Sequence, residues 1–316
     1  MLMEVGRSAE NAFYSFLELL SDTLGFTAKS TTKKEDVGGY FNSLGDKLGK
    51  ASEELEQIVK NSETELDKGG LNKGIKDAVD TAKATLSKLK GHLESLGQVG
   101  DTNVIGYANN VQGTGTASDD AQLKEMFRAL KGIVEIATDV GVKALQAGAT
   151  TLTVNGVDNK DGAKILATSG GNPSATDAGK AAIILAAVSG EEILDSIVRS
   201  GESDAALTAN ADENTTSLKF AKGGSDAHLS NSANPKAAAV AGGIALRSLV
   251  KTGKLGAGAA ANNAGGEKEV QGIGVTAVNK LLVAVEDIIK KTAKNVLKTA
   301  KEKMDEARSP KSTDQQ

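Results

Sequence analysis

Gly223-Gly224-Ser225-Asp226-Ala227-His228 is the one stretch that sets a histidine beside a hydroxyl and an acid, the three groups a nucleophilic triad needs. Neighbours in sequence are not a triad in space, and a loop histidine among small polar residues reads as solvent-facing. Asp158, Asp161 and Gly162 crowd together as in a calcium loop, but Val157 stands at the first ligand position and no glutamate closes the motif. Gly272-Ile273-Gly274-Val275-Thr276-Ala277 fits a loose dinucleotide pattern, which requires a preceding strand, and Gly256 to Gly266 is no strand. Gly179-Lys180 and Gly253-Lys254 resemble the end of a phosphate loop. Ser174 and Ser248 replace its first glycine, and Ala181 and Leu255 replace the hydroxyl that would hold magnesium. Asn214-Thr215-Thr216 matches the glycan acceptor pattern, which matters only in a host with that machinery.

The wider inventory is equally poor in chemistry. There is no cysteine, which excludes disulfides, thiolate nucleophiles and Cys-ligated metals, and the two histidines, His92 and His228, lie far apart. No catalytic residue, cofactor or metal is expected, and the chain reads as a non-enzyme. Five arginines among 37 basic residues, three tyrosines and no tryptophan argue against a nucleic-acid surface, which uses arginine forks and stacking aromatics. With 316 residues, 39% of them apolar, the chain is long enough to bury roughly 75% of its unfolded surface without a metal or disulfide staple. No apolar run is long enough to span a membrane, and the first residues show no export signal.

What must position any functional surface is helical. Phe13, Phe16, Leu17, Leu20 and Leu24 form one stripe over Val5 to Leu24, and Phe41, Leu44, Leu48, Ala51, Leu55 and Ile58 form a second over Lys33 to Asn61. A third stripe runs over Leu71 to Leu96 and stops at Gly97, with His92 beside the seam. A fourth helix opens after Ser118-Asp119-Asp120 and is expected to run through Val140 and Ala144 to about Gly148. Helices are also expected over Ala178 to Ser200, over Pro235 to Thr252 with Asn234 as N-cap, and over Glu267 to Ala307. In the last of these the stripe is read through Val296 and Lys298 and fades after Leu297. Thr151 to Val157, with Asn155-Gly156 at its turn, suggests a small hairpin.

The fold class is therefore predominantly all-α, an elongated helical bundle with N- and C-terminal helices packed together and at most a small β-hairpin in a loop-rich region. One elongated domain is expected, with residues 1–148 and 267–308 as bundle scaffold, 149–266 as a loop-rich part with short helices, and 309–316 as a disordered tail. Ser200 to Asp204, Ala209 to Asn214 and Gly256 to Gly266 carry nothing to bury and belong on the surface.

Lys33-Lys34-Glu35-Asp36-Val37-Gly38-Gly39-Tyr40-Phe41, followed by Leu44-Gly45-Asp46-Lys47-Leu48, resembles the amino-terminal region of the variable large proteins of relapsing-fever Borrelia. Ile133-Val134-Glu135, Ala238 to Lys254 and Gly274 to Ile289 agree with the same family, which is related to the surface antigen of Lyme-disease Borrelia. The resemblance implies an outer-membrane surface lipoprotein, serving antigenic variation and immune evasion without catalysis. Its partners would be host antibodies and the outer membrane, reached through an N-terminal lipid absent from this cysteine-free chain. Variability in that family is implied in membrane-distal loops.

The matching segments here are Val154 to Asn159, Ser169 to Thr176, Ser200 to Thr216, Lys222 to Asn234 and Gly256 to Gly266. Their candidate exposed residues are Asn155, Asp158, Asn159, Asn172, Asp204, Asn210, Asp212, Asn214, Asp226, Asn231, Asn262 and Asn263. The alternative is an adhesin for a host protein or anionic surface, with the lysine-rich face from Lys290 to Lys303 as its patch, which Glu286, Asp287, Glu302, Asp305 and Glu306 dilute. A monomer and a dimer are both compatible with the helix seams.

Overall fold

A computed structural model describes residues 24–63, 71–148, 153–154, 157–230 and 235–308. The first expected helix, apart from Leu24, and the polar tail lie outside the described residues, as do Asn155, Asn231 and the proposed cap Asn234.

Two long helices, α1 (Lys34–Glu63) and α2 (Leu71–Gly97), lie side by side and antiparallel, Gly38 approaching Gly97 at one end and Lys83 pairing with Glu56 towards the other. Of the predicted seams, Phe41, Leu44, Leu48, Ala51 and Leu55 on α1 and Ala78, Ala82, Leu86, Leu89, Leu93 and Leu96 on α2 are buried, while the side chains of Ile58, Leu71 and Ile75 lie outside those described. Helix α3 (Asp120–Asp139) starts where Asp119 accepts the Gln122 N–H through its side chain. It stops well short of Gly148, because Gly141 takes φ +81° and Val142 N–H turns back to the Ala137 carbonyl, closing the helix with a Schellman turn.

The middle of the chain is short-element country. β1 (Thr153–Val154) and β2 (Val157–Asp158) pair antiparallel, as the hairpin reading expected. They are followed by α4 (Asn159–Ala163), a 3-10 turn and β3 (Ala167–Ser169), which pairs in parallel with β4 (Gly224–Ser225). The single helix expected over Ala178 to Ser200 is two, α5 (Asp177–Ala186) and α6 (Gly190–Val198). Ser189 and Glu192 form a reciprocal capping box that starts α6. Lys280 donates to the Leu185 and Val188 carbonyls, both at 2.6 Å, and so caps the end of α5.

After α7 (Ser217–Lys222) and α8 (Asp226–Ser230) comes α9 (Ala237–Leu249), whose every residue is buried. Its small side chains allow this: a Cβ on Gly243 would sit 2.3 Å from that of Phe220 on α7. It begins two residues later than Pro235, with Lys236 at the cap position.

The last helix, α10 (Glu267–Arg308), spans 42 residues, about 63 Å, and packs on α2, α3, α6 and α9. Its stripe does not fade after Leu297, since Ala300 and Met304 are buried. Lys298 is not part of that stripe; it lies one residue round the helix from Leu297, exposed, beside Glu302. Glu286, read from sequence as a diluent of the basic face, is buried. It accepts the Gly25 and Phe26 N–H groups and the Tyr40 hydroxyl, the last at 2.5 Å. Asn279 exchanges two hydrogen bonds with Ala28, so the strand-like segment before α1 is fastened along α10.

Between bundle and short helices, segments 104–119 and 251–257 exchange backbone hydrogen bonds in an irregular ladder that includes Leu255 N–H to Tyr107 O and Gly113 with Ala257 in both directions. Two fully buried cations anchor it. Arg247 on α9 donates to the carbonyls of Ala221 at 2.6 Å, Leu166 and Phe220 at 3.2 Å and Lys254 at 3.4 Å. Lys34 at the start of α1 donates to those of Val250 and Gly253 at 2.8 and 2.7 Å, at the C-terminal end of α9 where the helix dipole favours a cation. Thr252, between those two carbonyls, is held at φ +62°, its N–H on Asp101 and its hydroxyl on the Ala117 carbonyl. Burial alone pulls the Arg247 guanidinium down to about 9. Burial, with Arg247 adding repulsion and Asp101 opposing, pulls the Lys34 ammonium down to about 8.

Two outcomes are expected. Gly190→Ala would place a methyl about 2.0 Å from the Lys280 carbonyl and separate α6 from α10, so a loss of roughly 1–3 kcal/mol in urea unfolding is expected despite alanine's better helix propensity. Lys34 titrates at about 8 when folded against 10.5 ordinarily, so its charge disfavours the folded state below pH 8, and the cost is relieved as pH rises through that window. The stability gap between wild type and Lys34→Met should therefore widen by about 2–3 kcal/mol between neutral pH and about pH 10.5. A gap independent of pH would show that the ammonium is solvated.

Candidate functional site

None of the sequence motifs assembles. The His228 backbone N–H donates to the Ser225 hydroxyl, and His228 Nδ1 faces the Leu207 carbonyl at 3.2 Å, so the ring is tied to backbone and Ser225 meets the histidine's main chain. Asp226 is engaged elsewhere, accepting the Gly171 N–H at 2.8 Å. Gly272 and Gly274 lie inside α10, where their amides face along the helix, and Gly179-Lys180 lies inside α5, with Lys180 beside Asp177 and Asp161. Gly253 gives its carbonyl to Lys34. Among the described residues no cluster of three or more His, Asp or Glu side chains could hold a metal ion.

The clefts offer no better constellation. One of about 490 Å³ lies between α2, α3 and residues 200–202, lined by Lys88, His92, Arg128, Lys131, Glu135 and Glu202 among others. Most of its charges are paired, Arg128 with Glu202 and Lys131 with Glu135. His92 stacks where Gly132 has no side chain, and burial lowers its pKa against the opposing effect of Glu135. The α10 lysine face is likewise divided by Lys291–Asp287 and Lys298–Glu302 pairs.

What the fold does present is a set of loop surfaces, and they are built in two ways. Asn172, Asn262 and Asn263 are exposed, and their side chains make no hydrogen bond within the described residues. Asn210, Asp212 and Asn214 are exposed too, but Asp212 also forms a turn by accepting the Asn214 N–H and the Thr215 hydroxyl. Asp204 and Asp226, expected as exposed, are half-buried. Asp204 accepts the Gly201 N–H and the Thr216 hydroxyl, which fixes the path from α6 to α7. Asp158 lies in β2 and Asn159 at the start of α4.

The polar segments are also less empty than their composition suggests. Ser200, Ala211, Thr215 and Ala257 are buried, Ser200 receiving the Leu218 N–H. Sequence reasoning missed a further exposed loop, 109–113, whose Val111 is 60% exposed. The available signal was the glycine-rich, uncharged run 102–117. No helix among the described residues is long and apolar enough to cross a membrane.

Against known proteins, a family model described as Borrelia lipoprotein matches residues 9–304. Variable large protein 7 of Borrelia hermsii is 66% identical over 97% of this chain and 84% of its own length. Variable large protein 21 of the same organism is 62% identical over the whole chain and 86% of its own length, whereas Variable large protein 4 is only 26% identical over 95% of this chain and 83% of its own. Among solved structures, the Lyme disease variable surface antigen VlsE of Borrelia burgdorferi superposes with a TM-score of 0.72 at 24% identity, covering 96% of this chain and 97% of that one. The helical fold is thus shared with that antigen.

The two kinds of loop position should separate under mutation. Asp204→Ala removes two accepted hydrogen bonds from a half-buried site and is expected to cost about 1–3 kcal/mol in urea unfolding. Asn172→Ala and Asn262→Ala should stay within about 0.5 kcal/mol of wild type. Equal losses at all three would mean that the asparagines are also structural.

Proposed function

The chain belongs to the Borrelia lipoprotein family, and from that premise we propose that it is a lipid-anchored antigen of the outer surface whose exposed loops serve antigenic variation and immune evasion, with host antibodies as partners and no catalysis. The observation that carries this reading is the spread among relatives that share one name. Identity falls from 66% to 26% while the match still covers 95% or more of this chain, so wholesale sequence replacement is compatible with one architecture. The physical basis is the division just described. Side chains such as Asn172, Asn262 and Asn263 can change at little cost, whereas the seams on α1, α2 and α10 cannot.

Within a single elongated domain, residues 1–148 and 267–308 act in this reading as scaffold and 149–266 as the displaying part, with α9 as its buried core. Anchoring requires an N-terminal lipid on a residue outside this cysteine-free chain. The adhesin reading has weaker support, because the lysine face that would serve it is interrupted by acidic partners.

A chimera tests the reading. Segments 170–176, 201–216 and 258–264 are replaced by those of the 26%-identical relative, and serum raised on the folded wild-type chain is assayed on cells displaying either form. Loss of most serum binding is expected while the chimera still unfolds in one cooperative transition, at a melting temperature lowered by the lost Asp204 and Gly258 contacts. Undiminished binding, or antibodies directed mainly at exposed positions of α2, would refute it, as would failure of any antibody to label intact cells.

A further inference from the structure

Three stretches, 102–117, 165–176 and 255–266, contain no Asp, Glu, Lys or Arg. They comprise sixteen, twelve and twelve residues, and a chain with 25% charged residues would place about ten charges in them. The fold brings the three together. Gly115 N–H reaches the Ala167 carbonyl at 2.7 Å, Ala261 N–H the Asn110 carbonyl at 3.0 Å, and Gln112 Nε2 the Pro173 carbonyl at 3.2 Å. The second and third stretches approach so closely that a Cβ on Gly258 would lie 2.0 Å from the Ser174 carbonyl, and one on Gly265 2.2 Å from that of Ala175. At the tips Asn110, Val111, Gln112, Asn172, Asn262 and Asn263 are all exposed.

We propose that these three tips form one discontinuous epitope, a rigid surface whose own side chains carry no charge, read as a unit by a single antibody combining site. This rests on the antigen reading and goes beyond it in adding segment 109–113 and in joining loops some 60 to 150 positions apart in sequence. The chemistry favours a paratope over a charged partner. The tip side chains themselves offer no charge to pair, the bordering carboxylates of Asp226 and Glu269 being held by the Gly171 and Gly265 amides, so recognition at the tips falls to neutral amide hydrogen bonds and contact with small side chains, which Tyr-, Ser- and Asn-rich binding loops supply. The bases of the tips are already cross-bonded, so little conformational entropy is lost when they are bound.

The test uses monoclonal antibodies selected on the folded chain and the variants Val111→Lys, Asn172→Lys and Asn262→Lys, with Asn214→Lys as a control in a different loop. Antibodies that lose about 100-fold in affinity on one of the three are expected to lose similarly on the other two, to retain binding to the control, and to fail on urea-unfolded protein. Unchanged melting temperatures establish that the variants fold. If the three lysines eliminate three non-overlapping sets of antibodies, or if those antibodies bind the isolated peptides, the single epitope is refuted while the antigen reading stands. If no antibody responds to a lysine at any of the four positions, both are refuted.

Discussion

Two buried cations whose hydrogen bonds go to backbone carbonyls hold this molecule's loops to its helices. Arg247 and Lys34 would each be expensive to bury alone. Together they face six backbone carbonyls drawn from α7, from the 3-10 turn before β3 and from the segment after α9. The bonds run across 216 residues for Lys34 to Val250 and across 81 for Arg247 to Leu166. They therefore close the fold on itself where no regular sheet does so. Removing either cation would leave carbonyls in the interior without donors, which costs more than a net hydrogen bond contributes.

That constraint explains how the short-element half can be both irregular and ordered. Its two small sheets contain only two strands each, too little to stand alone. Order comes instead from the ladder between 104–119 and 251–257, from a helix α9 buried on all sides, and from the cations at its end. Apart from Gln112, which donates to the Pro173 carbonyl, side chains at the tips contribute little to this scheme. Asp204 and Asp226, one step nearer the core, contribute directly by holding N–H groups of Gly201 and Gly171.

The bundle was legible in the sequence because helix spacing is a local signal: most of the described seam residues on α1 and α2 were readable, Val37 and Val79 being the ones missed. The overlooked stops were local too. Gly141 was a C-terminal glycine in plain view, and Ser189-Gly190-Glu191-Glu192 spelled a capping box inside what looked like one apolar helix. The tail of α10 was misread because alanine and methionine at 300 and 304 carry the stripe more faintly than leucine. Lys34, Arg247 and Glu286 were illegible for a different reason. Their burial depends on carbonyls and amides supplied from elsewhere in the chain, and no spacing rule announces a backbone partner. Of the candidate loop surface, composition located the asparagine-rich tips, but which aspartates turn inward is decided by amides three to fifty-five positions away.

A backbone carbonyl is the one acceptor that substitution cannot remove. Had Arg247 and Lys34 been neutralised by aspartates on the loops, every change at those positions would have risked an unpaired buried charge, at a cost of several kcal/mol. With carbonyls in that role, the charge stays satisfied whatever side chains the donating segments carry, provided the path of the chain and the packing of buried Leu166, Phe220 and Ala221 are kept. Glycines enforce that path where backbones touch, as at Gly115 against Lys254 and Gly258 against Ser174. The anchoring thus requires two cations and a few glycines, and leaves the identity of the remaining loop residues largely free. A scaffold of this kind can hold its shape at about a quarter identity, as its superposition on the variable surface antigen VlsE shows.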